Sequence, residues 1–181
     1  MPDETGEECR THRVRPARDA DLAHLAAIED AGGPQFAAYF GPAIHPVLLS
    51  PATDGRQRAL EPGFVLVAAD DEQSPPVGFV HVLVIDGHAH LEQVSVLPER
   101  QGQGIGAALV RAAMAQARAQ GFDRLSLCTY REVPWNAPFY RGLGFTEVTE
   151  LAAYQRRLRE KERELGLEVN GERCVMEVAL R

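Results

Sequence analysis

The chain has 181 residues, of which 45% are apolar and 25% are charged, a composition typical of a globular protein that buries its own core. Its net charge of −7 argues against nucleic acid as a partner, because phosphate binding requires clustered Lys and Arg side chains. The three cysteines are odd in number and far apart, which argues against a disulfide framework. No apolar run approaches the roughly 18 residues of a membrane span, and the acidic start is unlike a secretory leader. We therefore expect a cytoplasmic protein without a membrane partner.

The amino-terminal part of the chain is predicted to contain a tail, a strand and a helix. Residues 1–11 read as a disordered tail, and residues 12–181 as a single domain. A short strand is predicted at 14–15, closed by Pro16, and a helix over 19–31 with its first residue, an aspartate, as the cap. Gly32-Gly33-Pro34 is predicted to stop this helix, and the Gly- and Pro-rich stretch over 36–62 contains short helical pieces that the sequence does not place.

Three strands are predicted next, over 63–69, 77–85 and 88–96. The Asp86-Gly87 pair separates the last two, and Asp-Gly between alternating apolar runs is a strong signal for a two-residue hairpin turn. The pairs that this register places opposite each other are Ile85 with His88, Leu83 with His90, and His81 with Glu92.

The remaining elements alternate between helices and strands. They are a helix over 104–120 closed by a left-handed Gly121, a strand over 125–129, a helix over 134–143, a strand over 145–149, a charged helix over 151–165 and a strand over 174–180. Antiparallel hairpins followed by a helical crossover predict an α+β fold with a mixed sheet. The charged run over 156–164 is typical of a solvated helix face, with a homodimer contact as the alternative.

Three glycines at alternate positions, Gly102, Gly104 and Gly106, lie between a strand and a helix. Glycine lets the backbone approach a ligand closely and adopt positive φ. The free N–H groups of the first helical turn then converge on one spot, which suits an anion such as a pyrophosphate. Each charge-assisted N–H contact contributes roughly 1.5–3 kcal/mol. The segment therefore predicts a phosphate-binding loop that needs no lysine.

Two other interpretations of these glycines stay open. Read literally, Gly102-x-Gly104-x-x-Ala107 also fits the dinucleotide fingerprint. However, five residues including a proline separate it from the preceding strand, and the acidic ribose partner is missing from the end of the next strand. Alternatively, the glycines serve only a tight turn.

Two segments resemble the signatures of one enzyme family. Gln101-x-x-Gly104-x-Gly106, after a strand ending in Val-x-Val-x-Pro, resembles motif A of the GNAT superfamily of N-acetyltransferases. The run from Asn136 to Phe145, with Tyr140 one helix before Leu-Gly-Phe, is similar to its second signature. The predicted order of elements agrees with the family fold, so the resemblance implies a mixed, mostly antiparallel central sheet with helices on both faces.

The resemblance also implies the reaction. It implies a transferase that moves the acetyl group of acetyl-CoA, without a metal, onto a primary amine by direct attack in a ternary complex. A small-molecule acceptor is favoured over a protein or peptide N-terminus, because nothing marks a peptide groove. The alternative from another class is a non-catalytic module that binds or senses acyl-CoA. The residues that the resemblance assigns to acetyl-CoA are Val94, Ser95, Val96, Gln101, Gly102, Gln103, Gly104, Ile105, Gly106, Ala107 and Asn136.

Within the family, a tyrosine donates a proton to the departing thiolate, and Tyr140 matches it. A phenol suits this step, since its pKa of about 10 is close to that of an alkyl thiol. The alternative is that Tyr140 only packs beside Phe139 and Phe145.

A proton acceptor is needed as well, because an alkyl amine has a pKa near 10.4 and keeping it neutral at pH 7 costs roughly 4 kcal/mol. The hairpin register places His81, His90 and Glu92 on the face of Val94 and Val96, with Ala89 and Leu91 opposite. We expect Glu92 to be the general base, with His90 or His81 assisting or replacing it. Two alternatives are a hydrogen-bonded network that only stiffens the sheet and a zinc site formed by the same three side chains.

Two further predictions concern the acceptor side. Cys128 is interpreted as a small buried hydrophobe, with an acyl-carrying nucleophile as the alternative. Glu29 is predicted to meet a cationic amine, with Phe36, Tyr39 and Phe40 as walls of the pocket or, alternatively, as core.

Overall fold

A seven-stranded sheet organises the computed structural model, which describes residues 12–181. The tail predicted over residues 1–11 lies outside the described residues. The strand order is β1-β2-β3-β4-β5-β7-β6, and only the β4–β5 pair is parallel. The strands are β1 (Arg13–Pro16), β2 (Gly63–Ala69), β3 (Gly78–Ile85), β4 (His88–Val96), β5 (Arg124–Tyr130), β6 (Thr146–Glu147) and β7 (Arg173–Ala179). The mixed, mostly antiparallel sheet that the sequence predicts is confirmed.

Helices cover both faces of this sheet. They are α1 (Asp19–Asp30), α2 (Gly33–Phe40), α3 (Gly55–Leu60), α4 (Ile105–Ala119), α5 (Ala137–Arg141) and α6 (Ala153–Glu164). In the described part of the chain, no helix is long and apolar enough to cross a membrane.

Two hydrophobic cores lie on opposite faces of the sheet. The larger core packs α4 and α5 against one face and includes Leu91, Leu109 and Leu127. The smaller core packs α1 against the other face through Leu25, and includes Phe79. We call these the α4 face and the α1 face.

The hairpin at Asp86-Gly87 is confirmed, with Ile85 opposite His88 and positive φ at both turn residues, 50° and 78°. The predicted pair of Leu83 with His90 is also confirmed, but the predicted pair of His81 with Glu92 is wrong. His81 pairs with Gln93, whereas Val82 pairs with Leu91, so Glu92 is an extra residue in β4 and forms a β-bulge.

The start of α1 also differs from the prediction. Arg18, not Asp19, is the N-cap residue, and its backbone N–H donates to the carboxylate of Asp21 at 2.7 Å. Arg15 bonds the same carboxylate, which is buried and therefore needs these donors. Two aspartates lie near the helix start in the sequence, but the sequence does not show which of them accepts the hydrogen bond from the backbone.

The stretch over 36–62 that the sequence left unplaced contains most of α2 and all of α3. Glycine at position 55 allows α3 to pack closely on α1, because a Cβ there would lie 2.2 Å from the Leu22 carbonyl oxygen. The end of α4 agrees with the prediction, since Gly121 has φ of 90° and Phe122 N–H donates back to Ala117.

Candidate active site

The loop between β4 and α4 presents a row of free amides. Gly102 and Gly104 have φ of 75° and 77°, and Gly104 is the N-cap of α4. The next amide, of Ala108, donates to the Gly104 carbonyl at 3.0 Å. Within residues 12–181, no acceptor is bonded to the backbone N–H groups from Gly102 to Ala107. A Cβ at either positive-φ glycine would meet nothing within 4 Å, so the space in front of these amides is open. This geometry fits the diphosphate of a coenzyme A thioester.

Two side chains hold this loop in place, Arg100 and Gln101, and of these only Gln101 was predicted to belong to the site. Arg100 is buried and bonds both carboxylate oxygens of Asp70, at 2.5 and 2.9 Å, at the end of β2. Its Nε also donates to Gln103 at 3.2 Å. Gln101 donates from Nε2 to the Val96 carbonyl oxygen at 3.3 Å, which ties the loop to the end of β4.

The strands β4 and β5 separate before the loop begins. Their parallel pairing ends at Leu91 with Leu127, although β4 continues to Val96 and β5 to Tyr130. Because backbone groups of alternate residues in a strand point to each side, the end of β4 presents N–H and C=O groups to this gap without a partner strand. A gap of this kind can accept an extended ligand such as a pantetheine arm.

Tyr140 lies on the α4 face in the larger core, where its ring contacts the rings of Phe139 and Phe145. Its side chain is 8% exposed, and burial raises the pKa of the phenol above its ordinary value of 10. The hydroxyl has no hydrogen-bond partner among residues 12–181. It is therefore a protonated donor at neutral pH that is available to a ligand.

Asn136 precedes α5 and acts within the protein. Its Oδ1 accepts from the Thr129 hydroxyl at 2.9 Å, and its carbonyl accepts from the Tyr140 N–H at 3.1 Å. These bonds fix the start of α5 to the end of β5 and so orient Tyr140. Contact between Asn136 and the cofactor stays a prediction.

Glu92 projects from the bulge towards the α1 face. Val94 and Val96 pack on the larger core with Leu91, so the prediction that Glu92 shares their face is wrong. The bulge shifts the alternation by one residue, which moves the two valines to the other side. Glu92 is exposed, yet protein atoms surround its carboxylate closely enough that burial raises its pKa above the ordinary 4.5. A side chain that is both accessible and surrounded lies in a concavity.

His81 is fully buried on the α1 face and is bound to an arginine. Its Nδ1 lies 3.5 Å from Nη1 of Arg58, and Arg58 also donates to the carboxylate of Glu29. Arginine cannot accept a hydrogen bond, so Nδ1 is the acceptor and Nε2 carries the proton. That Nε2 is buried without a hydrogen-bond partner in the described residues, and Glu61 is 3.8 Å away. Burial and the Arg58 charge lower the pKa of His81 to about 4.

His90 belongs to a separate buried network on the same face. Its Nδ1 lies 2.8 Å from the Ser126 hydroxyl, which also accepts from the Tyr154 hydroxyl at 3.1 Å. Ser126 in turn donates to the Ala89 carbonyl at 3.4 Å. Burial lowers the pKa of His90 to about 4, so this imidazole is neutral at physiological pH.

Cys128 faces the same side, and burial raises the pKa of its thiol to about 12. A thiol with this pKa is not a nucleophile at neutral pH, which argues against an acyl-carrying role, and the Cys128 side chain is half-buried. Among residues 12–181, no group of three or more His, Cys, Asp or Glu side chains is arranged to hold a metal ion.

The aromatic residues predicted for the acceptor pocket form one cluster. Phe36, Tyr39 and Phe40 of α2 contact Trp135, Tyr130 or each other, with ring centroids 5.0–6.3 Å apart. Tyr39 remains 46% exposed. Glu29, the predicted partner of a cationic amine, has its carboxylate bound by Arg58 instead.

Two arginines near the site, the buried Arg58 and the half-buried Arg173, could not be identified from the sequence. Arg58 lies in the stretch without periodic signal, and Arg173 bonds Glu162 across elements that are distant in sequence. The Arg173 guanidinium also stacks 4.6 Å from the Tyr130 ring centroid. No local pattern marks such pairs, because each partner alone is typical of a solvated surface residue.

The chain matches the family model described as Acetyltransferase (GNAT) family over residues 35–145. It belongs to that family, and it is therefore an acyltransferase that uses acetyl-CoA. The resemblance seen in the two sequence signatures is confirmed.

Solved structures share the fold. The ribosomal-protein-S18-alanine N-acetyltransferase from Escherichia coli is 16% identical, with a TM-score of 0.63 and 94% of each chain covered. N-acetylglutamate synthase from Neisseria gonorrhoeae, complexed with coenzyme A and N-acetyl-glutamate, is 17% identical with a TM-score of 0.68, covering 94% of this chain and 35% of that one. A GNAT family acetyltransferase from Brucella melitensis, in complex with acetyl-CoA, is 28% identical with a TM-score of 0.54, covering 76% and 84%.

Proposed function

We propose that this protein acetylates the primary amine of a small molecule by direct attack of that amine on acetyl-CoA, and that residues 12–181 form one catalytic domain. The observation that carries the proposal is the run of free amides from Gly102 to Ala107, next to the gap between β4 and β5. The Brucella relative was solved with acetyl-CoA, and the Neisseria relative with coenzyme A. These complexes support acetyl-CoA as the donor here.

Each part of the site contributes one element of this reaction. When bound, acetyl-CoA supplies an acetyl group activated as a thioester. The loop amides would bind its diphosphate, and the backbone of Val94, Ser95 and Val96 would hold its pantetheine arm and acetyl carbonyl. This arrangement would direct the thioester into the gap between β4 and β5, which opens from the α4 face to the α1 face of the sheet.

Glu92 is the proposed general base. Burial raises the pKa of its carboxyl, which makes the carboxylate a stronger base, and it can accept a proton as the amine nitrogen bonds the carbonyl carbon. His81 is less suited, because Arg58 occupies its Nδ1 and Nε2 carries a proton. His90 is proposed to assist through its neutral ring.

Tyr140 is the proposed general acid. As the carbon–sulfur bond breaks, its hydroxyl would give a proton to the thiolate sulfur. The amine proton passes to Glu92, so the products are a neutral amide and a free thiol. Transfer of one proton from Glu92 to the Tyr140 phenolate then restores both side chains. The phenol suits this role because burial keeps it protonated and no protein group competes for its hydrogen.

A small acceptor is favoured by contacts beyond the end of β5. Asn170 accepts from the His45 N–H at 2.6 Å and donates to the Ala43 carbonyl at 2.9 Å. The Tyr130 hydroxyl donates to the Leu167 carbonyl at 2.6 Å. These bonds join the segment after α2 to the segment after α6 and to β5, which leaves less room for an extended peptide.

One observation favours a second candidate, a module that binds acyl-CoA without catalysis. Glu92 does not share the face of Val94 and Val96, so the base must reach the acetyl group through the gap between the strands. Of the structures that share the fold, one is a ribosomal-protein-S18-alanine N-acetyltransferase and one was solved with N-acetyl-glutamate, so the fold serves both protein and small-molecule acceptors.

The test is a panel of small primary amines and short peptides with free N-termini, incubated with acetyl-CoA and assayed for thiol release. Faster turnover with a small amine than with any peptide supports the proposal. Turnover with peptides alone overturns the acceptor assignment. Tight acetyl-CoA binding by calorimetry, with thiol release that no acceptor accelerates, favours the binding module.

A further inference from the structure

Arg58 is a buried cation on the α1 face that the proposed reaction does not use. Its side chain is held on four sides, by the Glu29 carboxylate, the Thr53 carbonyl at 3.3 Å, His81 Nδ1 at 3.5 Å and the Phe79 ring at 5.4 Å from the centroid. It is only 5% exposed. A buried arginine held so tightly contributes a fixed positive charge.

This charge lies beside the bulge that carries Glu92. Arg58 contacts His81, and His81 pairs with Gln93, the residue that follows Glu92. Burial raises the pKa of the Glu92 carboxyl, and the positive charge of Arg58 opposes that shift by favouring the ionised form. The charged and titratable groups that face this region are listed by element: Glu29 from α1, Arg58 and Glu61 from α3 and its end, His81 from β3, His90 from β4, Cys128 from β5, and Lys161 and Glu162 from α6.

We propose, on the basis of the function proposed above, that Arg58 is a positioning residue shared by two carboxylates: it bonds Glu29 while its charge balances that of Glu92 at the bulge. Within the described residues no hydrogen bond joins Arg58 to Glu92. The cation thus acts on the base through space and leaves both carboxylate oxygens of Glu92 available to a proton.

The bond to Glu29 explains why Arg58 does not pair directly with Glu92. An arginine free to pair directly with Glu92 would lower the pKa of that carboxyl by roughly 1–3 units and occupy the oxygens that must accept the proton. Glu29 holds the guanidinium back and partly neutralises it, and its own negative charge opposes that of Glu92. Removing Glu29 and removing Arg58 should therefore change the basicity of Glu92 in opposite directions.

The experiment follows the titration of Glu92 itself and needs no acceptor. The full chain is labelled with glutamate carrying ¹³C at the carboxyl carbon, and the Glu92 resonance is assigned by its loss in Glu92→Gln. Its pKa is then measured by NMR in the wild type, Arg58→Gln, Glu29→Gln and the control Arg56→Gln. Arg56 is exposed on the same short helix, so this control removes an equal charge outside the network.

We expect the pKa of Glu92 to rise by on the order of one unit in Arg58→Gln, to fall in Glu29→Gln, and to stay unchanged in Arg56→Gln. If Arg58→Gln does not fold, Glu29→Gln alone decides: a fall supports the proposal and an unchanged pKa overturns it. A Glu92 pKa equal in all four proteins also overturns it. If the shifts appear as expected while no amine is acetylated, the proposed function fails but the charge balance stands.

Discussion

His81 lies directly opposite Gln93 in the β3–β4 ladder, and the pair that follows is Val82 with Leu91. The residue left over, Glu92, forms the bulge from which the only exposed carboxylate of β4 projects. A bulge re-aims one side chain without changing the strands around it. Here it turns Glu92 towards α1, α3 and α6, at the level where β4 separates from β5.

The first prediction concerns this carboxylate. Glu92→Gln should lower turnover by roughly 10²–10⁴ at pH 7, because the amine then loses its proton without a positioned acceptor. The difference in turnover between Glu92→Gln and the wild type should narrow as the pH rises. Below the pKa of the amine, its neutral fraction in solution grows about tenfold for each pH unit, so the reaction depends less on a protein base. Rates of thiol release with the best amine, measured between pH 6.5 and 9.5, check both statements.

The comparison with His90→Gln separates the two candidate bases. If Glu92 is the base, His90→Gln should lower turnover less than Glu92→Gln and keep the wild-type dependence on pH. A Glu92→Gln enzyme with normal turnover, beside an inactive His90→Gln enzyme that recovers at high pH, would transfer the role to the imidazole.

Tyr140→Phe should lower turnover by roughly 10²–10⁴ while leaving the affinity for acetyl-CoA near normal, because it removes only the proton donor. The stability should change little, since the Tyr140 hydroxyl bonds no group within residues 12–181. Tyr154→Phe is the contrasting variant, because its hydroxyl bonds Ser126 and its loss should cost about 1 kcal/mol. Unchanged turnover in Tyr140→Phe would remove this residue from the reaction.

Gly104→Asp should weaken binding of coenzyme A by at least about a hundredfold, because it places a negative charge among the loop amides. Gly87→Asp is the matched control. Both glycines have φ near +77° and open space where a Cβ would lie, so the backbone strain is the same. Calorimetry should show the loss of affinity only at position 104, and equal affinities in the two variants would contradict the loop assignment.

The sequence predicted those features that local patterns encode. Alternating apolar residues around Asp86-Gly87 defined the hairpin, and the spacing from Gln101 to Gly106 defined the loop, because turn geometry and close backbone approach require particular residues at particular positions. Tyr140 followed from its place before Leu-Gly-Phe.

The features of the site that the sequence did not predict depend on contacts between segments that are distant along the chain. The bulge at Glu92 leaves no mark in the alternation of β4, where polar and apolar residues already mix. Glu29 was predicted for the acceptor because its partner, Arg58, lies in a stretch with no periodicity. Burial of Arg58, Arg100 and Arg159 could not be predicted, since each requires a carboxylate that only the folded chain supplies.

Arg100→Gln should weaken coenzyme A binding although Arg100 is not expected to touch the phosphates. The guanidinium fixes the loop to Asp70 of the segment after β2, and without it the loop amides lose their common orientation. Asp70→Asn should act in the same direction. Because both changes break one interaction, the double variant should bind about as weakly as Arg100→Gln alone. Fully additive losses, measured by calorimetry, would show that the two residues act separately.

The last prediction concerns stability at low pH. His81 and His90 have folded-state pKa values of about 4, against 6.5 for an ordinary histidine, because burial disfavours the charged ring. As the pH falls below 6.5 the unfolded chain takes up protons that the folded protein refuses, so stability is full above 6.5 and is lost progressively towards pH 4. Each buried imidazole should lower the free energy of unfolding by on the order of 2 kcal/mol between pH 7 and pH 5.

Denaturant unfolding at the two pH values measures this loss of stability. It should be smaller in His90→Gln than in the wild type and unchanged in His24→Gln, whose imidazole is exposed on α1. An equal loss in His90→Gln and the wild type would mean that His90 is not held neutral in the folded protein.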